Sequence, residues 1–166
     1  MFMRIPFLQP RHREFALAAL ETADLPAIAS IHREDFARPW SEEEFGGLLD
    51  QDTVFGFAAR EVGHGNESPV GFVLARLAAG EAEILTVAVA RSHRRHGLGW
   101  RLMDAVLREL HARRAEALFL EVDETNTPAI ALYRRFGFRQ VGRRPTYYSS
   151  ADGSSAGALV MRRDLR

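Results

Sequence analysis

Apolar residues recur along the chain at two spacings, and the changes between them outline its elements. Residues 15–21, "FALAALE", read as a first strand. Over 22–36, Leu25, Ile28, Ile31 and His32 fall on one helical face behind Thr22 or Asp24 as N-cap. Pro39 breaks that pattern. Ser41 restarts it, and Glu44 three residues later completes a capping box. "DTVFGFAAREV" and "PVGFVLARLA" read as strands on either side of turn-prone "GHGNES", and "EAEILTVAVA" follows as a further strand.

The second half interleaves strand and helix. "GLGWRLMDAVLRELHARRA" sets Leu98, Leu102, Ala105, Val106, Leu110 and Ala112 on one face of a strongly amphipathic helix. "EALFLEV" reads as a buried strand. "TNTPAIALYRRFGF" is a helix with Pro128 in its first turn and Gly137 at its stop. "FRQVGRRPTYY" and "AGALVMRRDL" are two last strands joined by "SSADGSS". The order β-α-α-β-β-β-α-β-α-β-β predicts an α/β protein (an α+β mixed sheet). Its central sheet is mixed but mostly antiparallel, of about six to seven strands, with helices on both faces.

Composition narrows the chemistry. The 166 residues fit one domain, taken as 14–166 after an N-terminal extension, 1–13, open to disorder. A net charge of +0 argues against nonspecific polyanion binding, so no nucleic-acid partner is expected. With Cys 0, disulfides, thiolate metal sites and cysteine nucleophiles are excluded. His93, His96 and His111 form no carboxylate-supported i, i+4 pair on one helix, so no metal site is expected. The N-terminus lacks the basic segment, long apolar run and cleavage site of a secretory signal, and no stretch reads as a membrane span. These features lead to the expectation of a cytoplasmic soluble protein.

Two stretches carry candidate chemistry. In "RSHRRHGLGWRLM", residues 91–103, a strand ending at Val89 passes through a basic turn with Gly97 and Gly99 into a helix. Unsatisfied amides and the helix dipole make such a start an anion cradle. The Gly-Lys-Ser/Thr ending of a P-loop is absent. A dinucleotide fingerprint would need a third glycine and a further βαβ unit to use Glu121. Alone, the turn reads equally as a plain helix start with solvated arginines. In "LEVDETNTPAIALYRRFGF", residues 120–138, Glu121 closes a strand and Asn126 opens the next helix. Tyr133 lies two helical turns beyond Asn126 on the same face. Their bland readings are a solvated strand end, a helix cap and half-buried packing respectively.

Together the two stretches resemble the signature of the GNAT acetyltransferase superfamily: Arg94-x-x-Gly97-x-Gly99 after an apolar strand, then the Leu-Glu-Val…Asn…Leu-Tyr…Gly-Phe segment. The resemblance implies a GNAT-like fold with acetyl-coenzyme A as cosubstrate and no metal. Arg94, Arg95, His96, Gly97, Leu98 and Gly99 would then bind its pyrophosphate, and backbone at Val87, Ala88 and Val89 its pantetheine arm. Asn126 and Tyr133 complete the implied coenzyme contacts. Aminolysis of a thioester needs a base for the amine and an acid for the leaving thiolate; the resemblance assigns these to Glu121 and Tyr133.

The flanking sequence is similar to the bacterial ribosomal-protein-alanine N-acetyltransferases. The match runs through Thr22, Asp24, Leu25, Pro26, Pro39, Trp40 and Ser41, and later through Arg144, Tyr147, Tyr148, Asp152 and Gly153. It implies a protein N-terminal amine as acceptor, alanine of a small-subunit ribosomal protein, and a monomer or weak dimer. Two departures exist: "SSAGA" lacks the acidic residues usual after Asp-Gly, and His93 replaces a frequent aromatic. A small-molecule amine as acceptor, or a non-catalytic acyl-coenzyme A-binding module, stays open as an alternative. Trp40 reads as core filler or ligand contact. Arg134, Arg135, Arg139, Arg143 and Arg144 read as phosphate helpers or as surface coat.

Overall fold

In a computed structural model describing residues 12–63, 65, 67–145 and 156–166, the elements follow the expected order. They are β1 (Phe15–Ala19), α1 (Leu25–Asp35), α2 (Glu42–Leu49), β2 (Val54–Glu61), β3 (Pro69–Ala78) and β4 (Glu81–Val89). After them come α3 (Leu98–Ala112), β5 (Ala117–Asp123), α4 (Thr127–Arg135), β6 (Arg139–Arg144) and β7 (Ala158–Asp164). The strands form one seven-stranded sheet in the order β1-β2-β3-β4-β5-β7-β6. Every neighbouring pair is antiparallel except β4 and β5.

Helices cover both faces. Leu98, Leu102, Met103, Val106 and Leu110 of α3 pack with Ile130 and Tyr133 of α4 on Val73, Ala75, Ile84, Leu118 and Leu120. On the other face, Ile28, Ala29 and Ile31 of α1 and Phe45 of α2 pack on Phe72, Leu74 and Ala88. A central strand covered on both faces needs no polar alternation. That is why Gly71 to Ala75 of β3 is an unbroken buried run.

The structure differs locally from the sequence reading at the end of the first strand and on the α3 face, and it decides between the two N-cap candidates. The first strand ends at Ala19, because Glu21 instead caps the single 3-10 turn Thr22–Asp24. Of the two N-cap candidates, Asp24 takes the N-cap position of α1, though its carboxylate turns to other partners. It is buried, accepts from the Glu21 N–H at 3.0 Å and pairs with Arg60. Ala112, the last residue of α3, is exposed, whereas Met103 joins the buried face. The capping box on α2 forms as read: Ser41 Oγ accepts from the Glu44 N–H at 3.1 Å, and Glu44 Oε2 from the Ser41 N–H at 3.2 Å. Among the described residues no helix is long and apolar enough to cross a membrane.

The link between α1 and α2 is built around a buried histidine. His32 lies between Phe36, stacked at 3.9 Å, and Trp40, stacked at 5.1 Å. The Trp40 backbone N–H donates to His32 Nδ1 at 3.1 Å, which requires that nitrogen unprotonated. Trp40 also sits edge-to-face on Phe45 and, partly buried, packs against the core of this layer. Burial lowers the His32 pKa from 6.5, with the Glu44 charge acting in the opposite direction. The unfolded chain takes up this proton near 6.5 and the folded chain resists it. The histidine's contribution to stability is therefore present above that pH and is lost as pH falls below it. Urea unfolding at pH 7.5 and at 5.5 should show a steeper acid loss for the native protein than for His32→Asn, and equal losses would contradict this role.

Candidate active site

The site begins with a register error in the sheet. β3 pairs Leu74 with Thr86 but Ala75 with Ile84, leaving Leu85 as an extra residue in β4. Such a bulge bends its strand and increases the local twist. The β4–β5 pairing runs from Glu81↔Ala117 to Glu83↔Phe119 and stops at that bulge. Beyond it, β4 continues on β3 alone to Val89, and β5 continues on β7 alone to Asp123. The two strands diverge, leaving a slot bordered by the Ile84–Val89 backbone on one side and Leu120–Asp123 on the other. Val87, Ala88 and Val89 all lie along its β4 edge.

The slot leads into the basic turn. After Ala90 comes a 3-10 turn, Arg91–His93; Arg95 then has φ 65° and Gly97 φ 71° before α3 starts at Leu98. Glycine is the residue that tolerates this left-handed backbone at an N-cap. A Cβ added at Gly97 would meet nothing within 4 Å, so the chain is uncrowded at the residue that opens α3. That combination of unsatisfied N–H groups, helix dipole and room beside them suits an anion such as a pyrophosphate.

The arginines of this turn have different duties. Arg91 donates its backbone N–H to Glu34 Oε2 at 2.8 Å and its guanidinium to the Glu34 carbonyl. Arg94 pairs with Asp35 and reaches the Val89 carbonyl at 3.4 Å. Both side chains therefore tie the turn to the end of α1. Arg95 and His96 are exposed, and His96 also contacts Arg13 Nη1 at 3.4 Å and the Phe15 ring. His93 is bound on both ring nitrogens, with Ser92 Oγ 2.7 Å from Nδ1 and Glu61 Oε2 2.9 Å from Nε2. Arg13 Nε lies 3.3 Å from the other oxygen of Glu61. The imidazole that replaces an aromatic here thus pins the turn to the edge formed by β1 and β2.

On the β5 side, alternation separates the two candidate catalytic groups. Leu118, Leu120 and Val122 pack toward α3, so Glu121 points to the opposite sheet face, the one carrying α1 and α2. Its carboxylate is half-exposed, with Oε1 2.7 Å from Arg144 Nε. Tyr133 belongs to the α3 side: it is 8% exposed and edge-to-face with Phe138. Burial raises its phenol above the usual 10.0, which keeps it a proton donor at neutral pH. Asn126 caps α4, its Oδ1 accepting from the Ala129 N–H at 3.3 Å. Base and acid candidates therefore belong to opposite faces of the sheet.

The even choice between phosphate helpers and surface coat divides by residue. Arg143 grips Glu124 through two hydrogen bonds of 2.7 and 2.9 Å, and Glu124 also accepts the Gly157 N–H at 2.9 Å. Arg143 lowers the Glu124 pKa to about 2, with help from that amide. Arg139 pairs with Asp164. Arg135 lies 5.7 Å over the Trp100 ring, which stacks on Phe136 and is itself exposed. Arg134 is exposed. Arg143 and Arg144 thus fasten the β6–β7 hairpin to the end of β5.

Sequence reasoning did not find the Leu85 bulge, the Glu61 anchor or the Glu124 clasp. The bulge has no residue signature, and Glu61 lies 32 positions from His93. Glu124 carried a weak signal as an acid in a turn beside the hairpin arginines. Tyr147, Tyr148, Asp152 and Gly153 lie outside the described residues. Among the described residues no group of three or more His, Cys, Asp or Glu could hold a metal ion.

Comparison with known proteins adds independent findings. Residues 25–138 match the acetyltransferase (GNAT) family. The [ribosomal protein bS18]-alanine N-acetyltransferase of Escherichia coli K12 is 34% identical over 145 residues, 87% of this chain and 94% of that protein. The crystal structure of the Escherichia coli ribosomal-protein-S18-alanine N-acetyltransferase superposes with a TM-score of 0.81 at 32% identity, covering 92% of this chain and 94% of that one. Arabidopsis thaliana NAA60 in complex with acetyl-CoA shares the fold, with a TM-score of 0.80, 22% identity and coverage of 91% and 98%.

Proposed function

The chain belongs to the acetyltransferase (GNAT) family, and on that premise we propose that it moves the acetyl group of acetyl-coenzyme A onto a protein N-terminal amine. The acceptor we infer is the N-terminal alanine of a small-subunit ribosomal protein. The relative at 34% identity, named for that reaction on bS18, motivates the choice. The slot where β4 leaves β5 is the observation that carries the reading, because the β4 edge left without β5 runs to Val89, just ahead of the basic turn and the start of α3 at Gly97.

The residues fit the coenzyme in parts. Amides of Gly97, Leu98 and Gly99, with the Arg95 and His96 side chains, would hold the pyrophosphate; Arg94 would fix the turn through Asp35. Backbone of Val87, Ala88 and Val89, no longer matched by β5, would take the pantetheine arm and polarise the thioester carbonyl. Asn126 would border the arm from the start of α4. Bound acetyl-coenzyme A supplies an activated acyl group, and every other task falls to the chain.

Glu121 takes the amine's proton, directly or through water, from the α1 and α2 face of the sheet. Arg144 steadies that carboxylate from one oxygen. Tyr133 returns a proton to the departing thiolate from the α3 side, where burial keeps its phenol protonated. In this reading the amine attacks the thioester directly; a cysteine acyl-enzyme is excluded by Cys 0.

A panel of peptides differing only in the first residue tests the acceptor, with release of the coenzyme thiol as readout. The greatest kcat/KM is expected for alanine-first peptides, and no release when the α-amine is blocked. Faster release with free polyamines or amino acids than with any peptide would overturn the assignment.

A further inference from the structure

One polar atom bordering the slot has no partner among the described residues. Thr86 is 6% exposed, and its Oγ1 makes no hydrogen bond to any described residue. Threonine is a β-branched residue at home in a strand, but a buried hydroxyl without a partner is destabilising, and valine would fill the same volume without that cost. Such a group calls for a reason, and functional sites are where reasons cluster.

Register supplies the location. Paired residues point to one face, so Glu83 and Phe119 share a face, and Glu121, two residues along β5, shares it too. Ala82 and Ile84 pack toward α3, while beyond the Leu85 bulge Ala88 packs toward α1 and α2. Thr86, two residues before Ala88, is therefore on the face that carries Glu121. Thr86 is three residues past Glu83 and Glu121 two past Phe119, and the extra Leu85 absorbs the difference, bringing Thr86 to about the level of Glu121 across the opening. A neutral hydroxyl and a carboxylate thus border the same side of the slot, one on each strand. Val87, the first residue assigned to the pantetheine arm, follows Thr86 directly in the chain.

We propose that Thr86 Oγ1 accepts a hydrogen bond from the acceptor's amine and orients its lone pair toward the thioester, with Glu121 opposite receiving the proton. This rests on the acetyl-transfer reading above and adds a substrate contact to it. A hydroxyl suits the task because it accepts from an N–H without holding the amine as a charged ammonium ion, which a second carboxylate would favour.

Thr86→Val and Thr86→Ser separate this role from a packing role. For Thr86→Val, kcat/KM for an alanine-first peptide should fall about tenfold, the scale of a lost substrate hydrogen bond. KM for acetyl-coenzyme A should stay unchanged, and the melting temperature should hold or rise. Thr86→Ser should restore most of the peptide kcat/KM. An unaltered peptide kcat/KM in Thr86→Val, a loss that serine does not restore, or an equal rise in the coenzyme KM would overturn the proposal. If the unsubstituted protein transfers acetyl groups and Thr86→Val matches it, only this inference fails. If the unsubstituted protein transfers none to any amine, the acetyl-transfer reading fails first.

Discussion

Replacing Tyr133 by phenylalanine should lower kcat roughly 100-fold, at the lower end of what a positioned general acid contributes. The ring is edge-to-face with Phe138 and 8% exposed, and phenylalanine keeps that packing while removing only the hydroxyl. The melting temperature and the KM for acetyl-coenzyme A should therefore change little. Steady-state kinetics with an alanine-first peptide read the split directly, and unchanged turnover would remove Tyr133 from the mechanism. The pH dependence has a defined sign. Burial raises the phenol above 10.0, so loss of its proton cannot limit turnover at neutral or mildly alkaline pH. Any alkaline limb due to Tyr133 should lie above that value in the native enzyme and be absent from the variant.

The largest loss of stability is expected from Phe72→Ala. Phe72 is 0% exposed at the centre of β3, paired in register with Ala88 and edge-to-face with Phe45 of α2 at 5.5 Å. It also contacts the His32 ring of α1 at 6.4 Å. Truncation removes an aromatic on which both helices of that layer rest, and costs about 3–5 kcal/mol in comparable cores. Against a total of about 5–15 kcal/mol, that is a large fraction. Urea unfolding should show a lower midpoint with a similar slope, and a shift worth under about 1 kcal/mol would mean the layer is not held this way.

The order of elements was legible because the apolar spacing changes sharply at each boundary. Pro39, Ser41 with Glu44, and Gly137 punctuate it with unambiguous chemistry. The motif residues were equally readable as a set. Their division of labour was not, because it depends on partners distant in sequence. Nothing in "RSHRRHG" says that Arg94 turns to Asp35, 59 positions away, while Arg95 is left exposed. Nor does "ILTVAV" announce that Leu85 is an extra residue, although that bulge lies where the two parallel strands part. A bulge exchanges inward and outward positions, so alternation read through it puts Thr86 and Val87 on the wrong faces.

The opposed placement of Glu121 and Tyr133 follows from the same logic. Residue spacing set Tyr133 and Asn126 on one side of a helix, but the sheet between Glu121 and Tyr133 appears only once β5 and α4 are folded together. The resulting picture is of a strand opening worked from both sides. On the proposed mechanism the amine's proton would leave on one face, and a proton would reach the thiolate from the other.

The most direct test is the position of the acetyl group in the product. A peptide carrying both an alanine α-amine and an internal lysine is incubated with acetyl-coenzyme A and the protein, and the product is fragmented in a mass spectrometer. The account predicts one acetyl group, on the α-amine, with the lysine untouched. Acetylation of the lysine side chain, or no transfer to the peptide at all, would contradict it.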